Sequence, residues 1–213
     1  MTELTDNIIQ LVCVFACGVY SVCAAVRNKS RLSILVSLFY LSFGIGITYW
    51  VLYIALFNSS PRVFFVSELS WTASYIFLAL RLAYDMPEEE HRCAMKPVFY
   101  LPLIFSFVMC IFFLHRGSYP ENIMMGTAMA ACGFFAVKGM YFAKRKNQPG
   151  RQWFCRAVLF FYAAEYLLWT SSYFWIDDTF FNPYFLTDTF VLNTALVLIA
   201  AAQHKEDKIC HTT

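Results

Sequence analysis

The stretch ILVSLFYLSFGIGITYWVLYIALF, residues Ile34 to Phe57, contains no Asp, Glu, Lys, Arg or His. A helix rising ~1.5 Å per residue needs ~20 mostly apolar residues to cross the hydrocarbon core of a bilayer, and this run is long enough. Working outward, similar runs occur at Ile8 to Val26, Val63 to Leu82, Pro97 to Leu114, Ile123 to Phe142, Phe154 to Ile176 and Pro183 to Gln203. Seven crossings with short connectors use nearly all 213 residues. The sequence therefore predicts an all-α integral membrane bundle of seven transmembrane helices, a single domain over 1–213. Composition agrees: 60% hydrophobic and only 14% charged residues exclude a domain whose surface is solvated by water. The first run has no basic residue ahead of it and reads as a retained helix, not a signal peptide.

Orientation follows the Lys/Arg content of the connectors. Arg27, Lys29 and Arg31 follow the first run, Arg92 and Lys96 the third, Lys144, Arg145, Lys146 and Arg151 the fifth, and Lys205 and Lys208 the seventh. The alternate connectors hold only Arg62 and Arg116, while Glu3, Asp6, Asp177 and Asp178 lie on that same side. This predicts an N-terminus outside, a cytoplasmic C-terminus and a multi-pass protein of the plasma membrane. Glu88, Glu89 and Glu90 read as a solvated helix end, and Lys138 and Arg156 as side chains that snorkel to the headgroups. The eight cysteines fall in apolar runs or near basic connectors and read as free thiols.

The chain also carries an internal repeat. A shift of 115 residues places Asp6-Asn7-Ile8 on Glu121-Asn122-Ile123 and Ala16-Cys17-Gly18 on Ala131-Cys132-Gly133. A shift of 120 places Phe65-Val66-Ser67-Glu68 on Phe185-Leu186-Thr187-Asp188, and one of 122 places Phe39, Tyr40 and Thr48 on Phe161, Tyr162 and Thr170. The expected layout is 3+1+3: repeat 1 over 6–85, a linker helix over 97–115, repeat 2 over 121–203, and a short tail over 204–213. Two triplets of the same orientation imply a pseudo-axis along the membrane normal and a site between them.

An ionisable side chain in hydrocarbon costs ~2.5 to 3.5 kcal/mol on insertion scales, so it usually faces a bundle interior and has a function. Glu68, Glu165 and Asp188 meet that description. At helical spacing around them stand Trp71 and Tyr75, and Tyr166 and Trp169, with Asn193 five residues past Asp188. These eight residues are the candidate ligand- or ion-binding set: an acidic, aromatic-walled pocket suited to a cation or amine through carboxylate pairing and cation–π attraction. Thr48 and Thr170 are candidates for the same crevice or for helix-to-helix bonding. Arg81 and Asp85, four apart, form a candidate ion-pair latch. All four histidines lie in connectors or the tail, so neither a catalytic site nor a metal or cofactor site is expected, and the basic residues read as inner-leaflet anchors, not as a nucleic-acid surface.

The pattern Phe39-Tyr40, Pro61, then Phe65-Val66-Ser67-Glu68-Leu69-Ser70-Trp71 leading to Tyr75 resembles the seven-helix membrane sensor regions of bacterial signalling proteins of the histidine kinase and diguanylate cyclase type. Tyr162, Glu165, Trp169, Asn182-Pro183 and Asp188 repeat the style. Only ten residues follow Gln203, so the resemblance implies a receptor that signals through a partner chain. The 3+1+3 layout also resembles SWEET and PQ-loop transporters, although the Pro-Gln dipeptide is absent and the first and fifth runs contain no proline. The leading expectation is a small receptor or sensor, not an enzyme, that binds a small ligand or cation and acts through a cytoplasmic partner or a homo-oligomer. A small-solute or cation transporter and an intramembrane lipid-modifying enzyme are the alternatives.

Overall fold

A computed structural model describes residues 2–59, 61, 65–92, 94–115, 119–175 and 182–210, with side chains from residue 3 to residue 202. Its elements are all helical: α1 (Thr2–Asn28), α2 (Arg31–Phe57), α3 (Phe65–Tyr84), the one-turn α4 (Glu88–His91), a 3-10 turn (Pro97–Tyr100), α5 (Leu101–Leu114), α6 (Tyr119–Arg145), α7 (Pro149–Phe174) and α8 (Pro183–Cys210). Arg62, Arg116, Asp177 and Asp178, and the side chains of Lys205 and Lys208, which enter the charge-alternation reading, lie outside the described residues, as do Cys93 and the side chain of Cys210.

Helix ends follow local chemistry. The Ser30 hydroxyl accepts from the backbone N–H of Ser33 and caps α2, which ends at Asn58 in the left-handed region with φ 51°. Lys29 and Asn147 take the same conformation, φ 49° and 52°, in the tight connectors after α1 and α6. Proline opens α7 and α8 at Pro149 and Pro183, where its missing N–H costs no helical bond.

Among the described residues, five helical segments are long and apolar enough to cross a membrane: Glu3–Asn28, Arg31–Phe57, Pro97–Leu114, Tyr119–Arg145 and Pro183–Ala202. Ile8, Val12, Val19, Leu52, Leu56, Phe107, Val108, Ile111, Leu186 and Val197 stand exposed on their outer faces. Water does not solvate apolar faces of that extent, so the composition is that of a membrane protein. The remaining two long helices, α3 of 20 residues and α7 of 26, carry more polar groups.

Each helix packs on its chain neighbour within α1–α2–α3 and within α6–α7–α8. The groups meet along two seams, α3 on α6 and α1 on α8, and α5 lies against α6. Long-range bonds hold the seams and the centre. The Tyr40 hydroxyl of α2 donates to the Ala195 carbonyl of α8 at 2.5 Å, and the Cys132 thiol of α6 donates to the Tyr75 carbonyl of α3 at 3.0 Å. Phe161 of α7 packs on Phe39, Phe43 and Tyr75, with ring centroids 5.4, 6.2 and 6.0 Å away, so an aromatic plug joins α2, α3 and α7 at mid-bundle.

Close approach sets two glycines. A Cβ on Gly46 would lie 2.6 Å from Trp71 Nε1, and one on Gly133 would lie 2.6 Å from Pro102 Cβ. Both let a neighbouring helix sit closer than any side chain allows.

Two expectations about charged side chains are corrected. Glu90 is not solvated: it is fully buried in α4, where Arg151 grips it, because the chain between α3 and the 3-10 turn folds back under α7. Lys138 does not reach outward either. It is 5% exposed, enclosed by protein, and its ammonium lies 6.0 Å from the Phe134 ring on the preceding turn of α6.

Candidate functional site

The N-terminal ends of α1, α3, α6 and α8 and the C-terminal half of α7 enclose a cavity of about 470 Å³. Six of the residues expected from the sequence line it: Glu68, Trp71 and Tyr75 from α3, Glu165 and Trp169 from α7, and Asp188 from α8. Glu68, Glu165 and Asp188 are 5 to 6% exposed. Three acids widely separated in the chain thus share one cavity, because the α3–α6 seam and the α7–α8 packing turn their helix faces to the same centre.

Two of the expected residues lie elsewhere. Asn193 is exposed, and its amide donates to the Thr189 carbonyl at 2.8 Å; five residues past Asp188 it has rotated off the cavity face. Tyr166 is buried behind the wall, edge-on to Phe105 of α5 at 5.2 Å. Thr48 and Thr170 do not line the cavity, and each donates to a carbonyl of its own helix, Gly44 and Tyr166, at 2.7 Å.

The structure adds a set of acids and amides. Glu3, Asn7 and Gln10 of α1 and Glu121 and Asn122 of α6 line the cavity. Glu68 and Glu121 lie close together across the α3–α6 seam, and Asp188 and Asp6 across the α1–α8 seam. The Gln10 amide donates to Asp188 and, at 3.3 Å, to Asp6 Oδ2, tying the second pair together. At the rim the Trp50 indole N–H donates to Glu3 Oε1 at 3.0 Å. The signal for Asp6 and Glu121 was in the sequence, since a shift of 115 residues places one on the other, but each stands near a helix start where an acid looks like an ordinary complement to the helix dipole.

Glu165 has a different setting. It lies in α7 away from the helix termini, beside Tyr75 of α3, and its Oε1 has no hydrogen-bond partner. A buried carboxylate oxygen without a partner costs ~1 to 3 kcal/mol, so its place at the cavity wall is not explained by packing. Trp71 Nε1, beside Gly46, is also buried without a partner. Trp169 and Tyr173 of α7, held by Phe113 of α5 at ring distances of 5.3 Å, complete an aromatic wall with Phe43, Tyr184 and Phe185.

At the opposite end of the bundle lies a second charged cluster. Arg81, fully buried at the C-terminal end of α3, sits over the Phe154 ring at 4.7 Å and pairs with Asp85 at 3.6 Å. Arg151 of α7 pairs with the same Asp85 at 3.3 Å and forks onto both oxygens of Glu90, Nη2 to Oε2 at 2.6 Å. The candidate latch is therefore larger than Arg81 and Asp85 alone and joins α3 and α4 to α7.

Fold and site together define a helical membrane protein with an acidic, aromatic-walled cavity at one end and a buried ion-pair network at the other. No protein-family model, curated protein or solved structure matches the chain. Among the described residues no group of three or more His, Cys, Asp and Glu side chains is placed to hold a metal ion.

Proposed function

We propose that this protein is a small seven-helix plasma-membrane receptor, with α4 outside the count, that binds a small organic cation in an outward-facing cavity and passes the change in helix packing to a partner through its basic inner connectors. The observation that carries this reading is the convergence of Glu68, Glu165 and Asp188 on one aromatic-walled cavity, with Glu165 Oε1 left without a partner. Carboxylates supply the charge a cation needs, and indole and phenol faces add cation–π attraction of ~0.5 to 2 kcal/mol each. Counting α3 and α7 as crossings, with α1 entering from outside, makes α1, α3, α6 and α8 parallel and turns the cavity outward. The two seams, α3 on α6 and α1 on α8, then exchange under the pseudo-two-fold of a 3+1+3 repeat, which supports that layout.

The test is thermal stabilisation of the purified protein by amines, metal cations, sugars and lipids, for wild type, Glu165→Gln and Asp188→Asn. A ligand that binds the native state raises the melting temperature by mass action, by ~2.7 kcal/mol of stability at a hundredfold excess over Kd. Stabilisation by a cation in wild type and its loss in both variants is the expected result. No stabilisation, with variants as stable as wild type, refutes the receptor reading.

One observation favours transport as a second reading. The aromatic plug around Phe161 and the Arg151–Glu90–Asp85 network close the bundle on the side away from the cavity, the arrangement an alternating-access carrier has when open to one side. Cation flux into liposomes that disappears in Asp188→Asn selects it.

A further inference from the structure

The cavity holds its acids in a particular arrangement. One carboxyl pair, Glu68 with Glu121, spans the α3–α6 seam; the other, Asp188 with Asp6, spans the α1–α8 seam. In the repeat register Glu68 corresponds to Asp188 and Asp6 to Glu121, so each pair takes one member from each half, crosswise. A third acid, Glu165, nine-tenths buried and with an unpartnered oxygen, lines the same cavity. Helix dipoles account for acids in the first turns of α1, α3 and α6, which begin with Glu3, Glu68 and Glu121, but not for Asp188, six residues into α8, or for Glu165.

We propose that the cavity is built for a linear aliphatic polyamine, one terminal ammonium lodging at the Glu68–Glu121 pair, the other at the Asp188–Asp6 pair, and the alkyl chain lying along the aromatic wall past Glu165. This deepens the receptor reading and rests on it. An ammonium brings three N–H donors and a full charge to a place where two carboxyl groups face one another, and it satisfies both at once. The same cavity is lined by Trp71, Tyr75, Trp169 and Tyr173, whose rings favour methylene groups and cations over hydrated metal ions. A divalent metal requires several oxygen ligands on one centre; here the acids are divided between two seams, and no three of the described metal-ligating side chains are placed to hold one ion. Glu165 Oε1, buried without a partner in a residue of the same cavity wall, offers an acceptor to a further ammonium on the chain.

Isothermal titration of the full chain in lipid nanodiscs decides the matter, with spermidine, 1,4-diaminobutane, butylamine and calcium chloride as probes. Spermidine and the diamine are expected to bind at least about tenfold more tightly than butylamine or calcium, the second ammonium being worth ~1.4 kcal/mol or more. Glu121→Gln and Asp6→Asn, each removing the less buried member of one pair, are each expected to abolish that preference while butylamine binding persists. Butylamine or calcium binding as tightly as the diamine overturns two-ended recognition and leaves the cation cavity standing. A diamine preference unaffected by both variants overturns the assignment of the ends. Failure of every amine to bind removes the receptor reading as well. If either variant does not fold, the wild-type ratio of diamine to monoamine affinity still decides.

Discussion

Arg151 at the start of α7 holds Glu90 of the one-turn α4 with both Nη atoms, at a point where Glu90 is fully buried and Arg151 is 5% exposed. A forked guanidinium–carboxylate pair taken out of water is stable only while both partners are present, because each ion alone keeps its desolvation cost. The pair ties the segment after α3 to α7, and Asp85 extends the tie to Arg81.

Arg151→Ala is therefore expected to destabilise the protein by ~3 to 5 kcal/mol, the usual cost of stranding a buried charge. The double variant Arg151→Met/Glu90→Met should recover much of that loss. Thermal unfolding of the single and double variants checks it; a double variant no better than Arg151→Ala contradicts the assignment.

Gly46→Ala places a Cβ 2.6 Å from Trp71 Nε1, so the indole must leave its place in the cavity wall. The expected cost is ~1 to 3 kcal/mol of overpacking, with a shift in tryptophan emission and weaker binding of whatever the cavity holds. Gly44→Ala, where the nearest neighbour atom is the Phe15 ring at 3.3 Å, serves as the milder control. Equal effects at the two glycines would count against a specific role for Gly46.

Tyr162→Phe removes a hydroxyl that bonds Ser106 Oγ at 2.8 Å and the Pro102 carbonyl at 3.0 Å, the polar link between α7 and α5. Interhelical bonds in membranes average ~0.6 kcal/mol, so a loss of about 1 kcal/mol is expected in a denaturation midpoint. A loss above ~3 kcal/mol would mean that α5 does more than lean on the bundle.

Glu89, on the exposed side of α4, accepts from Lys146 Nζ at 2.5 Å, and that ammonium lowers its carboxyl below the ordinary Glu value. With the folded value depressed, the contact contributes above the unfolded carboxyl value and is lost as pH falls through the folded one. Both side chains meet water, so the effect on stability is small. Lys146→Met should return the Glu89 titration to the ordinary range, read by carboxyl carbon NMR, with almost no change in melting temperature.

Much of this protein is legible in its sequence. The uncharged run Ile34–Phe57 and its counterparts set the helices, since length and apolarity are local properties and the solvent that matches them is lipid. Glu68, Glu165 and Asp188 could be singled out for the same reason: a carboxyl group in such a run is costly wherever the helix packs. Helical spacing also places Trp71, Tyr75 and Trp169 on the faces that line the cavity, whereas at Asn193 five residues turn the side chain away from Asp188.

What the tertiary structure alone decided is which residues meet across the chain. Glu68 facing Glu121, Asp188 facing Asp6, and Arg151 closing on Glu90 depend on seams between helices far apart in sequence. Glu90 shows the limit most clearly. Three consecutive glutamates beside basic residues look solvated in any local window, yet the third is buried because α4 folds under α7, where Arg151 offsets the cost of its burial. Hydrophobic length is written residue by residue, whereas the pairing of charges is settled only when helices pack and exclude water between them.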